Sequence, residues 1–126
     1  MISVGQRAPE WCVNAYVNGE QKRISSDEYA GKWHVIYWYP LDFTFVCPTE
    51  IRGFEALRDE FRKHGVEVIG ASTDSFYSHE QWFGDRKTFQ QEITHPVVAD
   101  TNHAMSRAFG VLKEDEGIAY RATVVI

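Results

Sequence analysis

The stretch from Trp33 to Gly65 and the strand-like run after it constrain this chain most. Trp33 to Tyr39, "WHVIYWY", is rich in β-branched and aromatic residues and reads as a buried strand. Pro40 stops it, because proline has no amide to give to a sheet ladder. The period then changes. In "PTEIRGFEALRDEFRKHG" the residues Ile51, Phe54, Ala56, Leu57 and Phe61 recur at three-to-four-residue spacing, which is one face of a helix. Pro48 suits the first helical position, Glu50 the first turn and Gly65 the stop. "VEVIGAS" is a second buried strand. Strand, helix and strand at this spacing make a right-handed βαβ unit with parallel strands.

The flanks extend the same theme. "WCVNAYV" is a short strand, "NGE" a hairpin turn, and "QKRISSDEYAGK" a second short strand edge followed by a turn. "SHEQWFGDRKTFQQE" reads as a helix anchored by Trp82, Phe83 and Phe89. "HPVVAD" is extended. "TNHAMSRAFG" is a short helix with Asp100 or Thr101 as cap and Gly110 as stop, and "GIAYRATVVI" is one final strand. The fold class is α/β, a partly parallel central sheet covered by helices. With 126 residues the chain is expected to form a single domain spanning 1–126. A final strand buried on both faces with an open edge would be poorly protected, so the chain is expected to be C-terminally incomplete.

Composition excludes several classes of function. The net charge is −5, and the densest basic group, Arg58, Arg62, Lys63 and His64, shares its helix with Glu55, Asp59 and Glu60. That is a solvated mixed-charge face, so nucleic acid is not an expected partner. The first residues lack the charged start and apolar run of a signal peptide. No segment approaches the ~18 apolar residues of a membrane span, so no membrane partner is expected. Two cysteines make no disulfide framework, and a cytoplasmic, reducing location is expected. The five histidines are scattered singly, with no metal-ligand spacing to either cysteine, so no metal and no cofactor is expected.

Cys47 carries the chemical signal. It falls at the expected cap of the helix that starts at Pro48, where unpaired amides and the helix dipole favour an anion. The thiolate is the reactive form, and such placement lowers a cysteine pKa from ~8.5, in known cases to ~3.5–7.5. In α/β folds such sites lie at the carboxyl ends of the parallel strands, which is where the strand before Pro40 delivers this loop. Cys12, between Trp11 and Val13, reads as a small buried hydrophobe. Glu50 stands where a C-x-x-C partner would be, which disfavours self-contained dithiol exchange. Arg52 reads as a surface helical residue, not the end of a phosphatase loop. A Cys–His hydrolase stays formally open. Thiol peroxidase chemistry fits best: Thr44 offers a hydroxyl that both donates and accepts, Pro40 shields the thiolate, and a separate arginine would stabilise charge on the leaving oxygen.

The segment "PLDFTFVCPTE", with Pro40, Thr44 and Cys47 filling P-x-x-x-T-x-x-C, resembles the active-site segment of the typical 2-Cys peroxiredoxins, the alkyl hydroperoxide reductase C and thiol-specific antioxidant family. "GVEVIGASTDSFYSHEQW", "HPVVADTNHAMSRAFGVL" and "EDEGIAYRATVVI" resemble the family's later segments in the same order. The resemblance implies a thioredoxin-like fold, a three-layer α/β/α arrangement with a mixed central sheet and an N-terminal β-hairpin extension. It implies that Cys47 is the peroxidatic cysteine, Thr44 binds peroxide and thiolate, Pro40 shields the pocket and Arg121 activates both. It gives the amides of Val46 and Cys47 a share in peroxide binding, Glu50 the orienting of Arg121, and Trp82 a packing role beside the loop. Phe43 and Phe45 are expected to keep that loop dry.

The implied activity is reduction of hydrogen peroxide and alkyl hydroperoxides, with thioredoxin or a dedicated disulfide reductase as donor and a homodimer or ring of dimers as assembly. The family continues past "TVVI" through a hairpin strand, a helix and an arm carrying the resolving cysteine, which are expected to be missing here. A holdase-like chaperone module and a non-catalytic thioredoxin-like binding domain are the competing readings.

Overall fold

The computed structural model describes residues 2–44, 47–89 and 91–126, with the backbone alone at Cys47. The main sheet is built from β1 (Cys12–Val17), β2 (Glu20–Ser25), β3 (Trp33–Trp38), β4 (Val66–Ser72), β5 (Val97–Ala99) and β8 (Ala122–Val125), in the order β2-β1-β5-β4-β3-β8. A separate two-stranded ribbon joins β6 (Leu112–Lys113) to β7 (Ile118–Ala119). β3, β4 and β5 are parallel neighbours, while β1 and β8 pair antiparallel to β5 and β3. The β1–β2 hairpin extends the sheet at its amino-terminal edge. The helices are α1 (Cys47–Ala56), α2 (Arg58–Lys63), α3 (Phe76–Phe83) and α4 (Ala104–Ala108).

Alternation along the strands divides the core in two. Ile36, Trp38, Ile69, Ala71 and Val98 pack on Trp11, Met105 and Phe109. Tyr37, Tyr39, Val68 and Val97 pack on Ile51, Trp82, Phe83 and Phe89. α1, α2 and α3 therefore cover one face and α4 the other, giving the three-layer α/β/α arrangement with a mixed sheet.

Several expectations need correction. The long helix after Pro48 is divided at Leu57, whose ψ opens to 1°. Its core-facing side is Ile51, buried, with Phe54 and Phe61 half-buried; the register that sets Glu55 and Arg58 against residues 94–95 turns Ala56 and Leu57 outward. The helix expected through residue 92 ends at Phe83, capped by Gly84. Asp85 then builds a turn, accepting from the Lys87 amide and the Thr88 hydroxyl, and this turn still delivers Phe89 to the core. "GIAYRATVVI" is two strands, with Tyr120 and Arg121 between them. β8 is not buried on both faces: it lies at the sheet edge with Thr123 and Val125 exposed. Cys12 is exposed, because β1 turns Val13 and Ala15 inward and Cys12 and Asn14 outward. At α4, Asp100 acts as a cap from outside the helix, accepting from the Met105 and Ser106 amides.

A buried polar cluster ties α1 to the strand β5 approach. The Glu55 carboxylate accepts from the Thr94 amide and hydroxyl and from the His95 amide and Nδ1. His95 Nε2 lies 2.6 Å from the Tyr37 hydroxyl. Tyr37 in turn lies across Gly70, its partner on β4, and a Cβ at Gly70 would sit 2.7 Å from the Tyr37 hydroxyl oxygen. That hydroxyl is held by His95, so the ring cannot move aside without straining this hydrogen bond. Gly70→Ala is expected to cost ~1–3 kcal/mol by overpacking, read as a lower thermal midpoint; an unchanged midpoint would contradict this packing.

The same cluster sets an acid sensitivity. Burial alone would raise the Glu55 carboxyl, but the hydrogen bonds from His95 and Thr94 outweigh it and hold the group at about 2. Burial keeps His95 below its ordinary value, with Glu55 opposing. The unfolded chain therefore binds more protons than the folded one in acid. Stability should begin to fall as pH drops below ~6.5, the ordinary histidine value. The Glu55 contribution is complete above 4.5 and is lost as pH falls through about 2. Thermal midpoints measured across pH should show this slope, and Glu55→Gln should flatten its portion below pH 4.5.

Candidate active site

β3 ends at Trp38, and the Tyr39 amide still bonds the Ala71 carbonyl of β4 at 3.0 Å. The chain then leaves the sheet through residues 40–44 and enters α1 at Cys47. The helix begins one residue earlier than expected, so Cys47 lies in its first turn and not at its cap. First-turn amides have no partner within the helix, and the dipole there favours negative charge. Phe45 and Val46, and with Val46 its expected peroxide-binding amide, lie outside the described residues.

The loop is fastened from below by a polar network that the sequence reading missed. The Tyr39 hydroxyl donates to Asp42 Oδ1 at 2.6 Å, and the Ser78 hydroxyl donates to Oδ2 at 2.9 Å. His79 Nδ1 lies 2.7 Å from the same Oδ2. The Asp42 amide donates to Asp74 Oδ2, which also accepts from the Ser72 hydroxyl. Burial, followed by the neighbouring Asp42 charge, raises the Asp74 carboxyl above its ordinary value. Burial, followed by Asp42, also pushes the Tyr39 hydroxyl well above its ordinary value, so it remains a donor. The one signal available in sequence was His79 on the same helix face as Phe76, Trp82 and Phe83, a polar residue on an otherwise apolar stripe.

Immediately after Asp42, Phe43 has φ 61°. Bulky residues rarely adopt that left-handed region, and such strain persists only where the surroundings over-determine it. Phe43 packs against Trp82, with ring centroids 5.8 Å apart, yet 63% of it is exposed, so its shielding is one-sided. Trp82 is buried and also touches Tyr39, Phe83 and Phe89, the packing position expected for it. Thr44 donates its hydroxyl to the Leu41 carbonyl at 3.2 Å, which leaves its oxygen lone pairs as acceptors. Pro40 stands half-buried at the strand exit.

A hollow of about 330 Å³ opens beside the loop, lined by Phe43, Thr44, Pro48, Arg52, Trp82 and Thr88 among others. Arg52 is not simply a surface residue: its guanidinium donates to the Thr88 carbonyl at 3.0 Å and forms part of this wall. A hollow of about 390 Å³ lies at the opposite end of β3, walled by Trp11, Tyr29 and His34. The smaller one is lined by Thr44 and by Pro48, the residues flanking the 45–47 segment, so the chemistry is sought there. Across the helix start, Arg121 Nε donates to the Glu50 carboxylate. The fold thus joins the first turn of α1 to a residue far along the sequence. Among the described residues no group of histidines, cysteines and carboxylates is arranged to hold a metal, and no helix is long and apolar enough to cross a membrane.

Comparison with known proteins identifies the family. The AhpC/TSA family pattern matches residues 4–126. The chain is 47% identical to peroxiredoxin prdx-2 of Caenorhabditis elegans, aligned over 98% of this chain and 62% of that protein. It is 45% identical to a thioredoxin peroxidase of Echinococcus granulosus, over 98% of this chain and 65% of that one. The chain therefore spans a little under two thirds of the length of these relatives. Among solved structures, Enterococcus faecalis AhpC superposes with a TM-score of 0.89 at 37% identity, covering 96% of this chain and 72% of its own. The reduced 2-Cys peroxiredoxin of Plasmodium vivax superposes at 0.91 with 33% identity, covering 98% and 77%. A cysteine in the first turn of a helix that follows a central strand, a threonine on the incoming loop and an arginine paired to that helix are thus set in a thioredoxin-like sheet, and the chain belongs to the AhpC/TSA family.

Proposed function

We propose that this chain carries the peroxidatic half of a thiol-dependent peroxidase. The observation that supports this most is the convergence on the first turn of α1, from Cys47 to Glu50, of Thr44 from the loop and Arg121 from beyond β7. In this reading the Cys47 thiolate attacks one peroxide oxygen. An S–O bond forms as the O–O bond breaks, and the departing oxygen takes up a proton to leave as water or an alcohol. Cys47 becomes a sulfenic acid, the first rung of the oxidation ladder. Thr44 accepts from the peroxide through the lone pairs that its bond to Leu41 leaves open, and Pro40 limits water at the sulfur. Glu50 aims the Arg121 guanidinium, and the cation favours both the thiolate and the negative charge that develops on the leaving oxygen. The amides of Val46 and Cys47 are assigned to the same oxygen.

The substrates of the reading are hydrogen peroxide and small alkyl hydroperoxides. A second thiol must condense with the sulfenic acid, releasing water and forming a disulfide that a dithiol donor reduces. The name of the Echinococcus relative supports a thioredoxin-type donor. Self-association is supported by the exposed Phe43 and by the sheet-edge position of β8. A cytoplasmic setting suits a reaction that depends on reduced thiols.

Stopped-flow peroxide consumption should be abolished in Cys47→Ser, and equal rates for the two proteins would overturn the assignment. Arg121→Gln should keep the fold and lower the second-order rate constant by ~10²–10³-fold, the usual effect of removing one charge-stabilising donor.

A further inference from the structure

The buried pair Asp42 and His79 has no part in the steps above. His79 is fully buried, and both of its ring nitrogens meet oxygen. Nε2 lies 3.0 Å from the Val98 carbonyl, which can only accept, so Nε2 carries a hydrogen. Nδ1 lies 2.7 Å from Asp42 Oδ2. Asp42 already accepts at both oxygens, from the Tyr39 and Ser78 hydroxyls. A hydrogen lies between Oδ2 and Nδ1, whose lone pairs would otherwise face each other at 2.7 Å. The ring is enclosed and stacked on Phe83, with centroids 5.4 Å apart and planes 15° from parallel. The other ionisable groups of this network are Asp74, which accepts the Asp42 amide, and the Tyr39 hydroxyl, 3.4 Å from Nδ1. His95 differs: its Nε2 meets a tyrosine hydroxyl that can donate, so a neutral ring satisfies both of its contacts.

We propose that His79 is a positioning residue of the peroxidatic loop, its hydrogen bond with Asp42 fixing the start of the 40–44 segment so that Pro40 and Thr44 are held beside Cys47. The inference rests on reading the site as a thiol peroxidase. Asp42 is the anchor because its side chain reaches α3, its amide reaches the Ser72–Asp74 turn, and the next residue is the strained Phe43. A peroxide needs both the sulfur and the Thr44 hydroxyl in register, and misplacement by ~1 Å can cost ~10²-fold. A small alkylating agent needs only the thiolate.

Two measurements on the intact protein test this. The ¹⁵N spectrum of the imidazole side chains should show a hydrogen on His79 Nε2 and Nδ1 engaged in a hydrogen bond, and a ring without a hydrogen on Nε2 overturns the proposal. His79→Gln should lower the rate of Cys47 oxidation by hydrogen peroxide by ~10–100-fold while changing its alkylation by iodoacetamide less than ~2-fold. Ser78→Ala, which removes one donor to Asp42, should give the same selective loss at a smaller factor and serves if the first variant does not fold. Equal losses in both reactions, or no loss in peroxide rate, overturn the positioning role. A wild type inert to peroxide overturns the reading of the site, and with it the role assigned to His79, while the spectrum then reports only whether the hydrogen bond exists.

Discussion

Strand β3 is bonded along both edges, to β4 in parallel and to β8 antiparallel, and covered on both faces. The rest of the molecule is placed relative to it. A strand so enclosed cannot shift register by one residue without exchanging the Ile36–Trp38 set for the Val35–Tyr37–Tyr39 set, which would face the wrong core. Its end is therefore fixed in space, and with it the point at which the chain leaves the sheet toward Cys47. The antiparallel partner β8 begins one residue after Arg121, and Ala122 pairs with Trp38. The same pairing that fixes the strand thus brings the arginine to the first turn of α1.

The two fully buried histidines show how one residue type serves two purposes in one layer of the fold. His95 binds the α1 carboxylate Glu55 to the central tyrosine Tyr37 and braces the side of the helix. His79 binds α3 to Asp42 and braces the loop that precedes the helix. The two sites differ in the atom opposite Nε2, a hydroxyl in one and a carbonyl in the other. That difference decides whether Nε2 donates or accepts. Buried polar groups of this kind are costly when left unsatisfied. Together they restrain α1 and its entry from two directions.

Much of this architecture was legible in the linear chain, because it depends on local periodicity. The switch from the Trp33–Tyr39 run to the three-to-four spacing of Ile51, Phe54 and Phe61 marks β3 and α1 whatever surrounds them. The Pro40, Thr44 and Cys47 spacing marked the loop. The errors fell where tertiary contacts override local pattern. Leu57 fits the apolar stripe but is turned outward because Glu55 and Arg58 are claimed by Thr94 and His95. Residues 85–89 look helical but are folded into a turn by Asp85. Cys12 sits between two apolar residues, yet strand alternation places it on the outer face.

By itself, the sequence determined the α/β class, the strand that aims the loop, and the cysteine, threonine and proline that the loop carries, since each is written in neighbouring residues. Only the tertiary structure decided the pairing of Glu50 with Arg121 and of Asp42 with His79. Those partners lie 71 and 37 residues apart. Their meeting is set by sheet order and helix packing, which no local periodicity encodes.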